Sequence, residues 1–239
     1  MADDNKQGRK LLTAVERLVA PSAELREVAQ QCREAARQAA PRDEAAKEAV
    51  RRYSNKAALA GAASNLPSLI PGAGLVTAIG ATLAEFAVLL KLEVEMTLVL
   101  LDLFGFDIED PQERQLGFVL ASVGTYDAST RSNFLVDVAK VESQAVWNYG
   151  PRRIGKILVE VMAVLVGVKL WRGVFKLMPV IGLVAGTSIN KVLTTRVGTR
   201  VRNDLKTRLE LQKSRAAVRP GRRKSPARKR SSAVHVDGY

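Results

Sequence analysis

The 239-residue sequence predicts an all-α protein. Three observations carry this. Apolar residues recur at spacings of three and four through most of the chain. No stretch sustains the alternation of a strand. Pro, Ser, Asp and Gly punctuate the periodic segments where helices start and stop. Apolar residues make up 47% and aromatics only 5%, so the core is built from aliphatic side chains. The expected architecture is a helical bundle with long glycine-grooved central helices, an N-terminal helical arm and a disordered basic C-terminal tail. The boundaries read 1–45 for the arm, 46–212 for the helical domain and 213–239 for the tail.

The first helix is carried by Leu11, Leu12, Val15, Leu18 and Val19, and Pro21-Ser22 interrupts it. Ser22 suits the N-cap of a second helix bearing Leu25, Val28, Ala29, Cys32, Ala35 and Ala36. Pro41 suits the first turn of a third, with Asp43 and Glu44 at its positive end. This region fits either an amphipathic arm or a surface layer on the main domain.

From Ala57 to Ala84 there are 28 residues without a charge. Runs of this length are a transmembrane cue, but Asn65, Pro67, Ser68 and Pro71 split this one. A helix starting near Pro71 and running to Phe104 would be roughly 50 Å long. It is apolar nearly all round, which places it in a bundle centre or against lipid. Lys91, Glu95 and Asp102 share one face, read as a solvated stripe or a Lys91–Glu95 pair, with a buried functional carboxylate as the lesser reading. Glu85 and Glu93 point away from it.

Gly105-Phe106-Asp107 ends that helix. Asp110-Pro111-Gln112-Glu113 reads as a capping box for the next, 111–124. A break is expected over Gly124–Ser129, followed by helices 130–147, 151–177 and 180–212.

A repeat links Leu69-Ile70-Pro71-Gly72-Ala73-Gly74-Leu75-Val76 to Leu177-Met178-Pro179-Val180-Ile181-Gly182-Leu183-Val184. Small residues follow at every fourth position: Gly74 and Ala78 in the first copy, Gly182 and Gly186 in the second, where Asn190 continues the stripe. Such a stripe lets another backbone approach closely. Gly74, Ala78, Gly182, Gly186 and Asn190 are therefore the candidate helix-packing residues. Structural equivalence and chance both account for an eight-residue match.

Composition argues against most enzyme chemistry. The single His, His235, lies near the C-terminus and the single Cys is Cys32. There is no disulfide framework, Cys-rich zinc site or buried His triad. Gly72-Ala73-Gly74 follows no strand and precedes no Gly-Lys-Ser/Thr, so it is not a phosphate-binding loop. The acids Asp107, Glu109, Asp110 and Glu113 are explained as a loop and helix cap, with a divalent cation as the weaker alternative. No catalytic residue, cofactor, metal or small-molecule substrate is expected.

Charge is unevenly placed. Residues 1–188 hold 22 basic and 21 acidic side chains, 189–212 hold 6 and 2, and 213–239 hold 9 and 1, against a total of +13. The C-terminal end is thus a polyanion-binding candidate, centred on Arg222, Arg223, Lys224, Arg228, Lys229 and Arg230. An anionic membrane surface and nucleic acid both fit. No aromatic residue interleaves these cations, so base stacking is not indicated. On the helix before the tail, Leu193, Val197, Val201, Leu205 and Leu209 form an apolar line. Lys191, Arg196, Arg200, Arg202, Lys206 and Arg208 lie off it, as in helices at a bilayer interface.

Three segments resemble the EcsC family of bacterial proteins. They are Ile70 to Thr77, Phe104 to Arg114, and Met178 to Asn190 followed by Thr194-Thr195-Arg196-Val197-Gly198. The resemblance covers roughly residues 50–205 and leaves the arm and tail outside. It implies a helical, membrane-associated protein with no agreed activity, whose family takes its name from a gene beside an ABC transporter involved in secretion. The expected function is that of a non-enzymatic protein on the cytoplasmic face of a membrane, an accessory to transport or secretion or an organiser of a lipid surface. A protein partner or self-association is compatible with it. The alternative is a soluble scaffold or nucleic-acid-associated protein using its basic tail.

Overall fold

The computed structural model describes residues 2–36, 41–63, 81–130, 159, 161–164 and 183–218. They are helical apart from short connections, and contain no strand. The helices are α1 (Ala2–Leu18), α2 (Ser22–Ala35), α3 (Pro41–Ala63), α4 (Ala81–Phe104), α5 (Pro111–Thr130) and α6 (Leu183–Val218). A short helical piece lies at 161–164. Met1–Leu205 forms one compact unit; Lys206–Tyr239 forms a second, whose described part is the end of α6.

α4 is the hub of the first unit. α1, α2, α3 and α5 all pack against it, and α2 also packs on α3. Most of its residues from Phe86 to Phe104 are buried, including Leu90, Val94, Met96, Leu98, Val99, Leu100 and Leu101, while Val88, Leu89, Lys91 and Asp102 are half-buried. A helix apolar all round belongs in such a centre. Of the two places the sequence allows this helix, a bundle centre or a lipid contact, it takes the first: the three N-terminal helices and α5 pack on it. α1 contributes Leu11 and Val15, with Val19 just past its end, and α2 contributes Leu25, Ala29 and Cys32, all at helical spacings. The small residues Ala45, Ala46, Ala49 and Ala57 of α3 are fully buried and let neighbouring helices approach. The expected boundary at 45/46 falls inside α3.

Helix ends follow local chemistry with some differences. α3 starts at Pro41 with Asp43 and Glu44 in its first turn, as the sequence predicts. At α2 the capping position is taken by Pro21 (φ −55°, ψ 150°), not Ser22, and no side chain caps it. α4 ends at Gly105, whose φ is 91°. The Gly105 N–H donates to Asp102 O and the Phe106 N–H to Leu101 O, both at 3.0 Å. These two bonds define a Schellman stop, and glycine is suited to its left-handed residue.

α5 runs unbroken through Gly124 to Thr130, so the break expected at 124–129 is absent. A Cβ on Gly124 would lie 3.0 Å from Val197 Cγ1 of α6. This glycine makes room for a neighbour and does not end the helix. The apolar line of α6 is also internal: Val197, Val201 and Leu205 are buried. Leu193 and Leu209, at the two ends of the line, are half-buried. Helix α6 extends to Val218, beyond the expected end at 212.

Candidate functional site

Two carboxylates lie inside the most apolar helix, Glu93 at 1% and Glu95 at 3% exposure. A buried charge demands partners, and those partners outline the polar interior. Glu95 pairs with Lys91 one turn away, Oε1 to Nζ 3.0 Å. Its Oε1 also accepts the Ala20 N–H at 2.9 Å. The solvated-stripe reading is thereby corrected: the pair forms, but underneath the N-terminal helices. The Asp102 side chain, 13% exposed, is held by Arg33 at 2.7 Å.

The corner between α1 and α2 is gripped from a second side. Arg114 of α5 donates to Ala20 O at 3.2 Å and to Ser22 Oγ at 3.0 Å. Ser22 Oγ in turn donates to Ile108 O at 3.1 Å. Freed from capping, Ser22 thus ties the corner to the α4–α5 connection. Burial pushes the Arg114 guanidinium below its usual range, while Glu16 and Glu95 act in the opposite direction. Tyr53 is buried nearby; burial first, and the Glu95 charge second, push its phenol up. Lys56 sits 4.7 Å from the centre of the Tyr53 ring.

Glu93 faces another interface. The Thr125 hydroxyl of α5 bonds to its Oε2, and the Thr194 hydroxyl of α6 lies 3.4 Å from its Oε1. Thr97 donates to Glu93 O at 2.8 Å. Next to Thr194, Thr195 donates to Ser54 Oγ of α3 at 2.9 Å. Three helices thus meet α4 or one another through hydroxyls.

The acidic connection Asp107–Glu113 is a cap and clasp. Asp110 Oδ1 accepts the Gln112 N–H at 2.8 Å, as an N-cap does. Glu113 reaches back to the Asp107 N–H instead of Asp110, while the Asp110 N–H bonds to Asp107 O. The expected capping box is therefore one half formed. Arg26 bridges Asp107 at 2.8 Å and Glu109 at 2.5 Å. Among the described residues no group of three or more His, Cys, Asp or Glu is placed to hold a metal ion.

Gly74, Ala78 and Gly182 lie outside the described residues; Gly186 and Asn190 are in α6, with Asn190 half-buried. Arg222, Arg223, Lys224, Arg228, Lys229 and Arg230 also lie outside them. Among the described residues, close glycine contacts occur at Gly8 and Gly198. A Cβ at Gly8 would sit 2.6 Å from the Ala163 backbone nitrogen, and one at Gly198 would meet Val50 at 2.7 Å and Met96 at 2.8 Å. Reading by stripe missed Glu93, Thr125, Thr194, Arg26 and Arg114. The available signal was an acid in an otherwise apolar helix, which requires a partner wherever it points.

Among the described residues the surface carries shallow clefts. One, of about 320 Å³, is lined by Leu18, Lys56, Ala60, Val88, Lys91 and Leu92. Another, of about 470 Å³, follows α6 from Thr195 to Asp204. Among the described residues, no helix is long and apolar enough to cross a membrane. The site's chemistry is therefore one of ion pairs and hydrogen bonds linking helices around a hub.

The fold and this polar interior define an all-α bundle organised on one buried helix. The chain belongs to the EcsC protein family, whose pattern it matches over residues 6–209. The match takes in the N-terminal helices, which the resemblance had left outside, and agrees with their packing on α4. No curated protein and no solved structure matches the chain.

Proposed function

We propose that this is a non-enzymatic protein held on the cytoplasmic face of an anionic membrane by its basic C-terminal end. One observation carries the reading. Of the net +13, only +1 belongs to residues 1–188, and the rest follows within residues 189–239. Cations near an anionic leaflet contribute about 1 kcal/mol each. A cluster of this size holds a protein without apolar insertion. On α6, Lys191 and Arg196 are exposed, so the basic excess begins on the folded unit and increases along the tail. With the polar side chains of the interior spent on joining helices, the bundle serves as a body presented at the surface. There it would act as an accessory to a transport or secretion machine or as an organiser of lipid.

Flotation of the full chain with vesicles tests this. Binding to vesicles of equal parts phosphatidylcholine and phosphatidylglycerol should be strong at low salt, fall steeply as salt rises, and be absent on phosphatidylcholine alone. Deleting residues 213–239 lowers the formal charge from +13 to +5 and should remove most of the salt dependence. The tail composition also suits a nucleic acid, whose phosphates such a tail neutralises without sequence preference. Duplex DNA that strips the protein from anionic vesicles at matched phosphate concentration would favour that second reading.

A further inference from the structure

Where the end of α1 meets α3 and the first half of α4, the packing leaves a cleft of about 320 Å³. Its walls come from three helices. Val88, Lys91 and Leu92 lie three and four residues apart on one face of α4, and Lys56 and Ala60 lie four apart on α3. Leu18, the last residue of α1, completes the lining. Ala60 is half-buried and too small to fill the space.

The lining has two kinds of chemistry. Leu18, Ala60, Val88 and Leu92 are aliphatic, and Lys56 and Lys91 are cations. Among these described residues there is no hydroxyl, amide or carboxylate side chain and no aromatic ring. A sugar, a base or a peptide would lose water here without gaining partners for its polar groups. Hydrocarbon loses nothing. The two ammonium groups then fix what the hydrocarbon carries. Lys91 pairs with Glu95 at 3.0 Å, and an ammonium has three donors. Lys56 stands over the Tyr53 ring, 4.7 Å from its centre, and among the described residues no carboxylate pairs with it. Two lysines offset by one carboxylate leave a single positive charge at the cleft, which matches a monoanion.

We infer that this cleft binds one fatty-acid anion, its chain against Leu18, Ala60, Val88 and Leu92 and its carboxylate on Lys56 and Lys91. The inference goes beyond the membrane reading and does not rest on it. A methylene takes up about the room of one water, about 30 Å³, so the cleft holds about ten carbons. Burial of the chain supplies the affinity, and the charged head fixes its direction.

Calorimetric titration of the full chain with dodecanoate, below its micelle concentration and in about 0.15 M salt to screen the exposed cations, tests this. One molecule should bind per chain. Dodecanol lacks the charge and should bind about tenfold more weakly. Octanoate, shorter by four methylenes, should also bind at least about tenfold more weakly. Ala60→Phe fills the cleft and should abolish binding. Lys56→Gln, at an exposed position, should weaken it about threefold to fivefold. Thr199→Phe, exposed in the cleft along α6, should leave it unchanged. Circular dichroism melts establish that each variant keeps its fold; if Ala60→Phe does not, Lys56→Gln and the dodecanol comparison decide. Absence of dodecanoate binding by the wild type overturns the inference. So does binding that survives in folded Ala60→Phe, as uptake by the basic tail would, or that Thr199→Phe removes. Equal affinity for dodecanol, or none lost in Lys56→Gln, overturns the role of the carboxylate. Vesicle flotation succeeds or fails separately from all of these.

Discussion

Glu95 Oε1, in the middle of α4, accepts the N–H of Ala20 at 2.9 Å while pairing with Lys91 at 3.0 Å. One carboxylate oxygen thus holds the chain where α1 turns into α2, 75 residues away in sequence. Because Arg114 binds the carbonyl of the same Ala20, both polar groups of that peptide position are taken by the hub and its neighbour. Glu95→Ala would strand the half-buried Ala20 amide and the Lys91 ammonium together. The expected cost is about 2–4 kcal/mol. Urea denaturation would measure it, and hydrogen exchange should show faster opening of α1 and α2 than of α5.

Gly105→Ala should destabilise the protein by about 1–2 kcal/mol. The reason is backbone conformation alone: at φ 91° a Cβ is strained, although nothing lies within 4 Å of where it would sit. Gly105→Asn, which tolerates the left-handed region better, should cost less than Gly105→Ala. Equal stabilities from chemical denaturation would contradict this account.

Gly8→Ala should be costlier than Gly124→Ala. At Gly8 the added carbon would meet the Ala163 backbone at 2.6 Å, whereas at Gly124 it would meet a valine methyl at 3.0 Å. A backbone cannot step aside without moving its helix; a side chain can give a few tenths of an ångström. Overpacking of about 1–3 kcal/mol is expected at Gly8, read as a lowered urea midpoint and loosened α1.

Glu48 supplies a pH dependence. Hydrogen bonds from Arg51, and then from Arg52, hold its carboxyl below the usual carboxylate range, against the effect of burial. A depressed folded value means stability that is complete above the unfolded value of about 4.3 and lost as pH falls through the folded one. Glu48→Gln should therefore be less stable than wild type at neutral pH, and the gap should close in strong acid. Urea midpoints of both proteins along an acid titration would show it; a gap that widens in acid would contradict it.

How much of this was legible beforehand depends on the distance over which each feature is decided. Pro41 with Asp43 and Glu44, Gly105 as a stop, and Asp110 as an N-cap were readable because each acts within about one helical turn. Ser22 was misread because its hydroxyl had two uses, and a partner at Ile108, far along the chain, took it. Gly124 was misread because a glycine inside a helix signals either an end or a close neighbour, and Val197 is the neighbour. The Lys91–Glu95 pair was legible at its spacing of four, but its burial was not.

The sequence by itself determined that this chain is helical, where α2 to α5 begin or end to within a residue or so, which helix is too apolar for any place but an interior or a lipid contact, and that positive charge gathers at the C-terminal end. Tertiary structure alone decided that the N-terminal helices wrap α4, that Glu93 meets Thr125 and Thr194 while Glu95 meets Ala20, and that the apolar line of α6 turns inward. The physical reason is the same in each case. Helix signals are local and directional, written in hydrogen bonds a few residues apart. Burial is non-directional, so an apolar face states that it must be covered without naming the cover; the polar groups trapped beneath then select which neighbour fits.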